Sequence, residues 1–350
     1  MNKTKIAING FGRIGRAFLK IAITRPELEI VAINDLGNIE NMAYLLKYDT
    51  AYGRSGLDIK TSISTGDGAG ARSTLTVNGN NIVFLSEKEP TKLPWRELGV
   101  DVVVESTGLF TSFEKANVHI EAGAKRVVIS APAKDDGASS VKGATVLMAI
   151  NEDLMKDVLI TSNASCTTNA ASPVMAILDE KIGIEKALLN TVHGYTASQG
   201  LVDGPNKKDF REGRAAAQNI VPSSTGAAIA VTKALPQIEG KFDGVSMRVP
   251  VVAGSIVDVT FIAKRNTSKE EVNNILKEAS NDPRWSGIFL ASEEELVSSD
   301  IVGEPHASIA DLKFTRVVDG NLVKVLAWYD NEMGYTNTLV DHVIKAGKFL

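Results

Sequence analysis

An apolar run at residues 5–9 passes directly into Gly10-Phe11-Gly12-Arg13-Ile14-Gly15, and from there into residues 13–24, where Ile14, Ala17, Phe18 and Ile21 recur at helical spacing. Few folds carry a strand that turns on glycines straight into a helix. In this pattern Gly10 permits the tight turn, Gly12 lets backbone approach a pyrophosphate, and Gly15 lets helix and strand pack closely. The start of such a helix offers free N–H groups and a positive dipole end to phosphates. A second apolar run at residues 28–34 ends on Asp35, 20 residues past Gly15, where a carboxylate can accept hydrogen bonds from the adenosine ribose hydroxyls. A 2′-phosphate there would meet like charge, so the pattern predicts NAD rather than NADP as cofactor.

The alternation continues. Residues 101–105 and 126–130 read as buried strands with a helix between them that stops near Gly123, and Asn78-Gly79-Asn80-Asn81 marks a hairpin between residues 74–77 and 82–85. Alternating strands and helices predict a doubly wound parallel sheet, a Rossmann-type α/β fold. After about residue 167 the texture changes. A helix at 167–181 is followed by longer strands at 187–193, 245–252, 256–264, 313–318 and 322–329, the last two joined at Asp319-Gly320. Ser268-Lys269-Glu270-Glu271 is a capping box opening a helix through 279. Hairpin-joined strands backed by helices predict a second, α+β domain with a mostly antiparallel sheet. A chain of 350 residues suits two domains. We place a dinucleotide domain at residues 1–166 and a catalytic domain at 167–335, with the closing helix at 336–350 packing back on the first. The aperiodic stretch 198–224 reads as a functional loop, and Gly66-Asp67-Gly68-Ala69-Gly70 as a surface insertion.

A formal net charge of −4 gives no basic field to hold nucleic acid, so no nucleic-acid partner is required. The single cysteine excludes an intrachain disulfide framework and a cysteine-rich zinc site, and no metal is expected. The opening residues lack the apolar core of a secretory signal, and no apolar run reaches the about 20 residues of a membrane helix. The expected compartment is the cytoplasm, with no membrane association.

That cysteine, Cys166, lies in Ser162-Asn163-Ala164-Ser165-Cys166-Thr167-Thr168-Asn169, just ahead of a helix whose apolar face is Ala171, Val174, Met175 and Leu178. With Ser165 or Asn163 as cap, the thiol falls in the first turn, where the helix dipole favours thiolate. Pro173 should bend the helix or sit in an irregular opening turn. Of the four histidines, only His193 ends a strand and enters a loop, His193-Gly194-Tyr195-Thr196-Ala197-Ser198. Beside a thiolate it could raise nucleophilicity and serve as general base.

Four segments carry a resemblance over essentially the whole chain: Asn9 to Arg16, Ser162 to Asn169, Ser223-Ser224-Thr225-Gly226-Ala227-Ala228, and Trp328-Tyr329-Asp330-Asn331-Glu332. Together they resemble the phosphorylating glyceraldehyde-3-phosphate dehydrogenases. The resemblance implies an aldehyde substrate, glyceraldehyde 3-phosphate, oxidised through a hemithioacetal and a thioester on Cys166, with inorganic phosphate as second substrate. It implies that Thr196, Ser198 and Arg248 bind the substrate's phosphate. Ser165, Thr167, Thr225, Gly226 and Arg211 would bind the attacking one, with Arg214 competing with Arg211. For NAD it adds Arg13, Ile14, Lys88, Ser130, Asn331 and Tyr335 to Gly10, Gly12, Gly15 and Asp35. A homotetramer is implied too. Ala170, Lys88, Ser198 and the run Val251-Val252-Ala253-Gly254 depart from the usual pattern. Rival readings are an erythrose-4-phosphate dehydrogenase-like enzyme that uses water, a semialdehyde dehydrogenase, and a non-catalytic scaffold.

Overall fold

The computed structural model describes residues 3–63, 72–134, 140–207 and 209–350; the glycine-rich run 66–70 lies outside the described residues. The chain divides into two compact units, one of Met1–Val146, Asp153–Asn163 and Leu339–Leu350, the other of Leu147–Glu152 and Ala164–Thr338. The closing helix, Met333–Gly347, begins in the second unit, and from Leu339 onward its residues belong to the first.

In the first unit, eleven strands are found among the described residues: β1 (Thr4–Asn9), β2 (Leu28–Asn34), β3 (Tyr48–Asp49), β4 (Gly53–Arg54), β5 (Ile59–Ser62), β6 (Ser73–Val77), β7 (Asn80–Leu85), β8 (Val102–Glu105), β9 (Arg126–Ile129), β10 (Gly143–Thr145) and β11 (Ile160–Ser162). Nine of them form one sheet in the order β10-β11-β9-β8-β1-β2-β7-β6-β5. The seven from β10 to β7 pair in parallel; β6 and β5 add an antiparallel edge. Every residue of β8 and β9 is buried, as expected for parallel strands covered on both faces. On one side Ala7, Ala32, Val103 and Val127 pack with Trp95 and Phe113. The β6–β7 hairpin turns on Asn78 and Gly79, both at positive φ, which suits the right-handed twist of the strands it joins. The helix expected between β8 and β9 is instead two short ones, Phe113–Ala116 and Val118–Glu121. Short β10 and β11 carry too little periodicity to be visible in sequence.

The second unit carries β12 (Ile184–Gly194), β13 (Val221–Ser224), β14 (Phe242–Val249), β15 (Ser255–Ala263), β16 (Phe289–Ser292), β17 (Ser308–Val318) and β18 (Leu322–Tyr329), ordered β13-β14-β12-β15-β18-β17-β16. Four of the neighbouring pairs are antiparallel; β12–β14 and β16–β17 are parallel. Burial alternates along β15, so one face of the sheet is covered. The cover includes the helix Cys166–Ile182, which lies against β12, β15, β17 and β18. Pro173 sits inside this helix without ending it; its missing N–H leaves the Asn169 carbonyl without the usual i+4 donor. Only the first half of the expected capping box is made: Ser268 Oγ accepts from the Glu271 N–H at 3.1 Å, while the Glu271 carboxylate accepts from Arg265 and from the Thr267 hydroxyl. The uncovered face leaves Leu188 and Val245 at least half exposed.

Candidate active site

The glycine turn of the first unit fits a dinucleotide for three separate reasons. Gly10 holds φ +95°, and a Cβ there would stand 2.6 Å from Thr107 N. At Gly15 a Cβ would stand 2.2 Å from Gly10 O, so any side chain would pry helix from strand. At Gly12, the N-cap of the helix Arg13–Ala22, a Cβ would meet nothing within 4 Å. That open space lies at an N-cap with no side-chain cap and no acidic residue in the first turn, which are the conditions for an anion. Asp35, half-buried at the exit of β2, accepts from Phe11 N–H at 2.7 Å and Gly37 N–H at 2.8 Å, each oxygen keeping a further lone pair. Arg13 reaches Asp49 at 3.1 Å, Ile14 is half-buried, Lys88 is exposed, and the Ser130 N–H donates to Glu105 O at 2.9 Å.

A buried polar network that the sequence did not reveal braces this turn. Glu105 accepts from Asn9 Nδ2 at 2.6 Å, from Thr107 N–H at 2.8 Å and from the Thr107 hydroxyl. His119 Nδ1 accepts from Trp95 Nε1 at 3.2 Å, which leaves Nε2–H to donate to Glu105 at 3.0 Å. Asn34 Nδ2 donates to Asn9 Oδ1 at 2.8 Å and to Glu87 O at 3.0 Å. Asn9 adjoins Gly10 and Glu87 adjoins Lys88, so the network reaches two of the cofactor-side segments predicted above. Such buried groups are tolerated because each finds partners.

In the second unit Ser165 caps the Cys166 helix, its Oγ accepting from Thr168 N–H at 3.0 Å, and Cys166 is the first helical residue. His193 stands one residue from the end of β12, and its Nε2 lies 3.4 Å from Cys166 Sγ. The parallel register of β12 and β14 pairs His193 with Arg248. Arg248 Nη1 and the Gly194 carbonyl both lie 2.6 Å from His193 Nδ1. One nitrogen cannot serve a donor and an acceptor at once. Protonated at Nδ1, the ring donates to Gly194 and presents a lone pair at Nε2 to the thiol.

Burial opposes the helix dipole at this pair. Burial, and then the Arg248 guanidinium, holds His193 down to about 3, against the bond to Gly194 that raises it. Burial likewise pushes the Cys166 thiol above its ordinary range, although Arg248 and contacts at Thr167 pull it down and the residue keeps partial exposure. Both directions favour a neutral thiol facing a neutral imidazole. Burial outweighs the single helix terminus, whose dipole contributes about 0.3–2 kcal/mol. Tyr329 packs edge-on against the His193 ring, and its hydroxyl bridges Thr167 Oγ1 at 2.9 Å and Thr191 Oγ1 at 2.8 Å. Burial first, then the neighbouring cysteine, holds this phenol well above its ordinary value, so it remains an O–H.

Among the expected anion donors, the Thr196 and Ser198 hydroxyls lie 3.0 Å apart just past β12. No carboxylate pairs with Arg248 among the described residues, and its buried Nε has no partner. Thr225 Oγ1 accepts from Ala227 N–H at 3.2 Å, and Gly226 caps the helix Ala227–Ala234. Arg211 and Arg214 are both exposed, tied to Asp209 and Asp203 respectively, each at 2.8 Å. Tyr335 is buried and donates to Ala164 O at 3.2 Å. Asn331 accepts from Ser255 Oγ at 3.0 Å. Thr191 and Ser255 escaped the sequence reading, where Tyr329 stood only within the closing Trp328–Glu332 segment without a role; for Thr191 the available signal was that it shares a strand face with His193. Among the described residues no cluster of ligand side chains could hold a metal ion, and no helix is long and apolar enough to cross a membrane.

A doubly wound dinucleotide fold, followed by a sheet that aims one imidazole at one thiol, defines a class: NAD-dependent oxidoreductases that work through a cysteine. Comparison with known proteins narrows the class. The family description "Glyceraldehyde 3-phosphate dehydrogenase, NAD binding domain" matches residues 4–113, and the description of that family's C-terminal domain matches residues 165–331. The chain is 46% identical over 349 residues to a glyceraldehyde-3-phosphate dehydrogenase of Streptomyces coelicolor, covering 99% of both chains. It is 47% identical over 344 residues to glyceraldehyde-3-phosphate dehydrogenase 1 of a Nostoc species, covering 97% of this chain and 96% of the relative. A relative from Aspergillus oryzae, glyceraldehyde-3-phosphate dehydrogenase B, is 42% identical over 348 residues, covering 98% and 99%. The chain belongs to the glyceraldehyde-3-phosphate dehydrogenase family.

Proposed function

We propose that this chain converts D-glyceraldehyde 3-phosphate, inorganic phosphate and NAD to 1,3-bisphosphoglycerate and NADH, with Cys166 as nucleophile and His193 as its base. The observation that carries the proposal is the 3.4 Å approach of His193 Nε2 to Cys166 Sγ at the start of a helix. NAD, when bound, accepts the hydride. With Nε2 3.4 Å from Sγ, His193 takes the Sγ proton as sulfur attacks the aldehyde carbon. It returns that proton to the oxygen, giving a hemithioacetal. The Cys166 N–H, at the helix start, can stabilise the oxygen's developing charge. As hydride leaves the carbon, His193 removes the hydroxyl proton and the thioester remains. Phosphate then attacks the carbonyl and loses its proton to solvent, while the Cys166 sulfur leaves and takes back the proton held on His193 Nε2.

Thr196, Ser198 and Arg248 would hold the substrate phosphate; the Arg248 guanidinium, with no carboxylate partner among the described residues and a partnerless Nε, suits that role. Ser165, Thr167, Thr225, Gly226 and Arg211 would hold the attacking phosphate, with Arg214 the alternative to Arg211. Gly10, Gly12, Arg13, Ile14, Gly15, Asp35, Lys88, Ser130, Asn331 and Tyr335 would hold the cofactor, Asn331 through the nicotinamide carboxamide. The names of the relatives favour the three-carbon aldehyde over erythrose 4-phosphate. We further propose a dinucleotide domain over residues 1–166 with the 336–350 helix and a catalytic domain over 167–335, in a cytoplasmic homotetramer. The exposed Leu188, Val245 and Ile229 of the second unit, and Leu201 and Phe210 of its long loop, support association, since apolar surface of this extent calls for cover. Light scattering that returned a monomer would refute the assembly.

NADH formation from glyceraldehyde 3-phosphate tests the reaction. It should require phosphate and be lost on alkylation of Cys166 or in Cys166→Ala. Turnover without phosphate, or a fully active Cys166→Ala, would overturn the proposal.

A further inference from the structure

Asn331 is 7% exposed, yet among the described residues its amide Nδ2 makes no hydrogen bond. Its backbone is clamped by its neighbour. Asp330 Oδ1 accepts from Glu332 N–H at 2.8 Å and Met333 N–H at 2.9 Å, while Oδ2 accepts from Gly303 N–H at 2.7 Å. What the clamp leaves undecided is which way the Asn331 amide faces, since oxygen and nitrogen ends are nearly equal in size and opposite in hydrogen-bonding sense.

Ser255 decides it. This residue opens β15, is 1% exposed, and pairs in register with Tyr329, two residues before Asn331. Its Oγ accepts from the Gly194 N–H at 3.1 Å, and its single proton is given to Asn331 Oδ1 at 3.0 Å. With Oδ1 held by that proton, Nδ2 is left as an outward donor. A flipped amide would strand the Ser255 proton in a buried site and turn an acceptor outward instead. The other arm of Ser255 grips Gly194, whose carbonyl accepts from His193 Nδ1, so one hydroxyl joins the loop of the base to the amide.

We propose that Ser255 is a positioning residue that orients the Asn331 amide as a donor toward the carboxamide of the nicotinamide. The inference rests on the assignment of Asn331 to that carboxamide made above. Pre-setting the amide spares the ordering that cofactor binding would otherwise require.

A double-mutant cycle on NAD binding tests it, read by isothermal titration of NAD into the cofactor-stripped full chain. Ser255→Ala should weaken NAD about three- to tenfold, the loss of one oriented hydrogen bond. Asn331→Ala should weaken it by at least as much, and the double variant should bind no more weakly than Asn331→Ala alone. The pH profile of Cys166 alkylation by iodoacetamide, measured without NAD, follows the Gly194 arm separately and should be unmoved. Additive losses, an unchanged affinity in Ser255→Ala, an unchanged affinity in Asn331→Ala, or a shifted alkylation profile would each overturn the inference. Should Ser255→Ala fail to fold, Ser255→Cys replaces it in the same cycle, a near-isosteric change to a weak donor and acceptor. Failure of the proposed reaction would show differently, as a wild-type chain that binds NAD without phosphate-dependent turnover.

Discussion

Replacing Gly12 and Gly15 by alanine, one at a time, should separate cofactor affinity from stability, two properties the glycine turn combines. At Gly12 an added Cβ meets nothing within 4 Å and φ is −68°, a value any L-residue adopts. The folded chain should accept it at no cost, and the reduced freedom of the unfolded chain should add about 0.4–1 kcal/mol of stability. That methyl would fill the space through which a phosphate approaches the first N–H groups of the helix. Losing one charge-assisted hydrogen bond costs about 1.5–3 kcal/mol, or roughly 10- to 150-fold in NAD affinity. At Gly15 the Cβ would lie 2.2 Å from Gly10 O and 3.2 Å from Ile8 Cγ2. The nearer atom is backbone and cannot swing aside, so helix and turn must part, at about 1–3 kcal/mol. The better helix propensity of alanine returns at most about 1 kcal/mol of that. Urea unfolding of the NAD-free chain and calorimetric NAD titration measure the two effects separately. The reasoning fails if Gly12→Ala loses stability while keeping its NAD affinity, or if Gly15→Ala is as stable as wild type.

Acid should destabilise the fold through its buried imidazoles. His193 and His342 are both held down to about 3, His342 by burial alone, while in the unfolded chain each titrates near 6.5. The unfolded state therefore binds more protons between those values, and stability present above pH 6.5 is lost as pH falls, at up to about 1.4 kcal/mol per pH unit for each histidine. His342→Asn should flatten that slope by about half in chemical denaturation, and an unchanged slope would refute the assignment. Tyr329→Phe removes the hydroxyl that bridges Thr167 and Thr191, and should cost about 1–3 kcal/mol of stability. It should also lower kcat more than it raises the KM for NAD, because the bridge supports the first turn of the Cys166 helix; an equal fall in NAD affinity would contradict this placement.

Local sequence rules settled a good deal of this molecule. The glycine turn, Asp35 after β2, the Asn78-Gly79 and Asp319-Gly320 hairpins, and the Ser268 helix cap are short-range signals. Their physics is contained within a few residues: a positive φ, a cap, an alternation of apolar positions. Cys166 stood out as a candidate for a similar reason, because its polar flanks Ser165, Thr167 and Thr168 are unlike an apolar helix face. Only the tertiary structure could pair His193 with Arg248, since that neighbourhood follows from the parallel register of β12 and β14, strands 55 residues apart at those positions. The burial that pushes the thiol up was decided there too, because desolvation depends on what packs around the sulfur and no run of sequence states it. The same holds for Glu105 with His119 and for Ser255 with Asn331. Each of those pairings joins residues from different elements, and hydrogen bonds of that kind exist only once the sheet has fixed both partners in place.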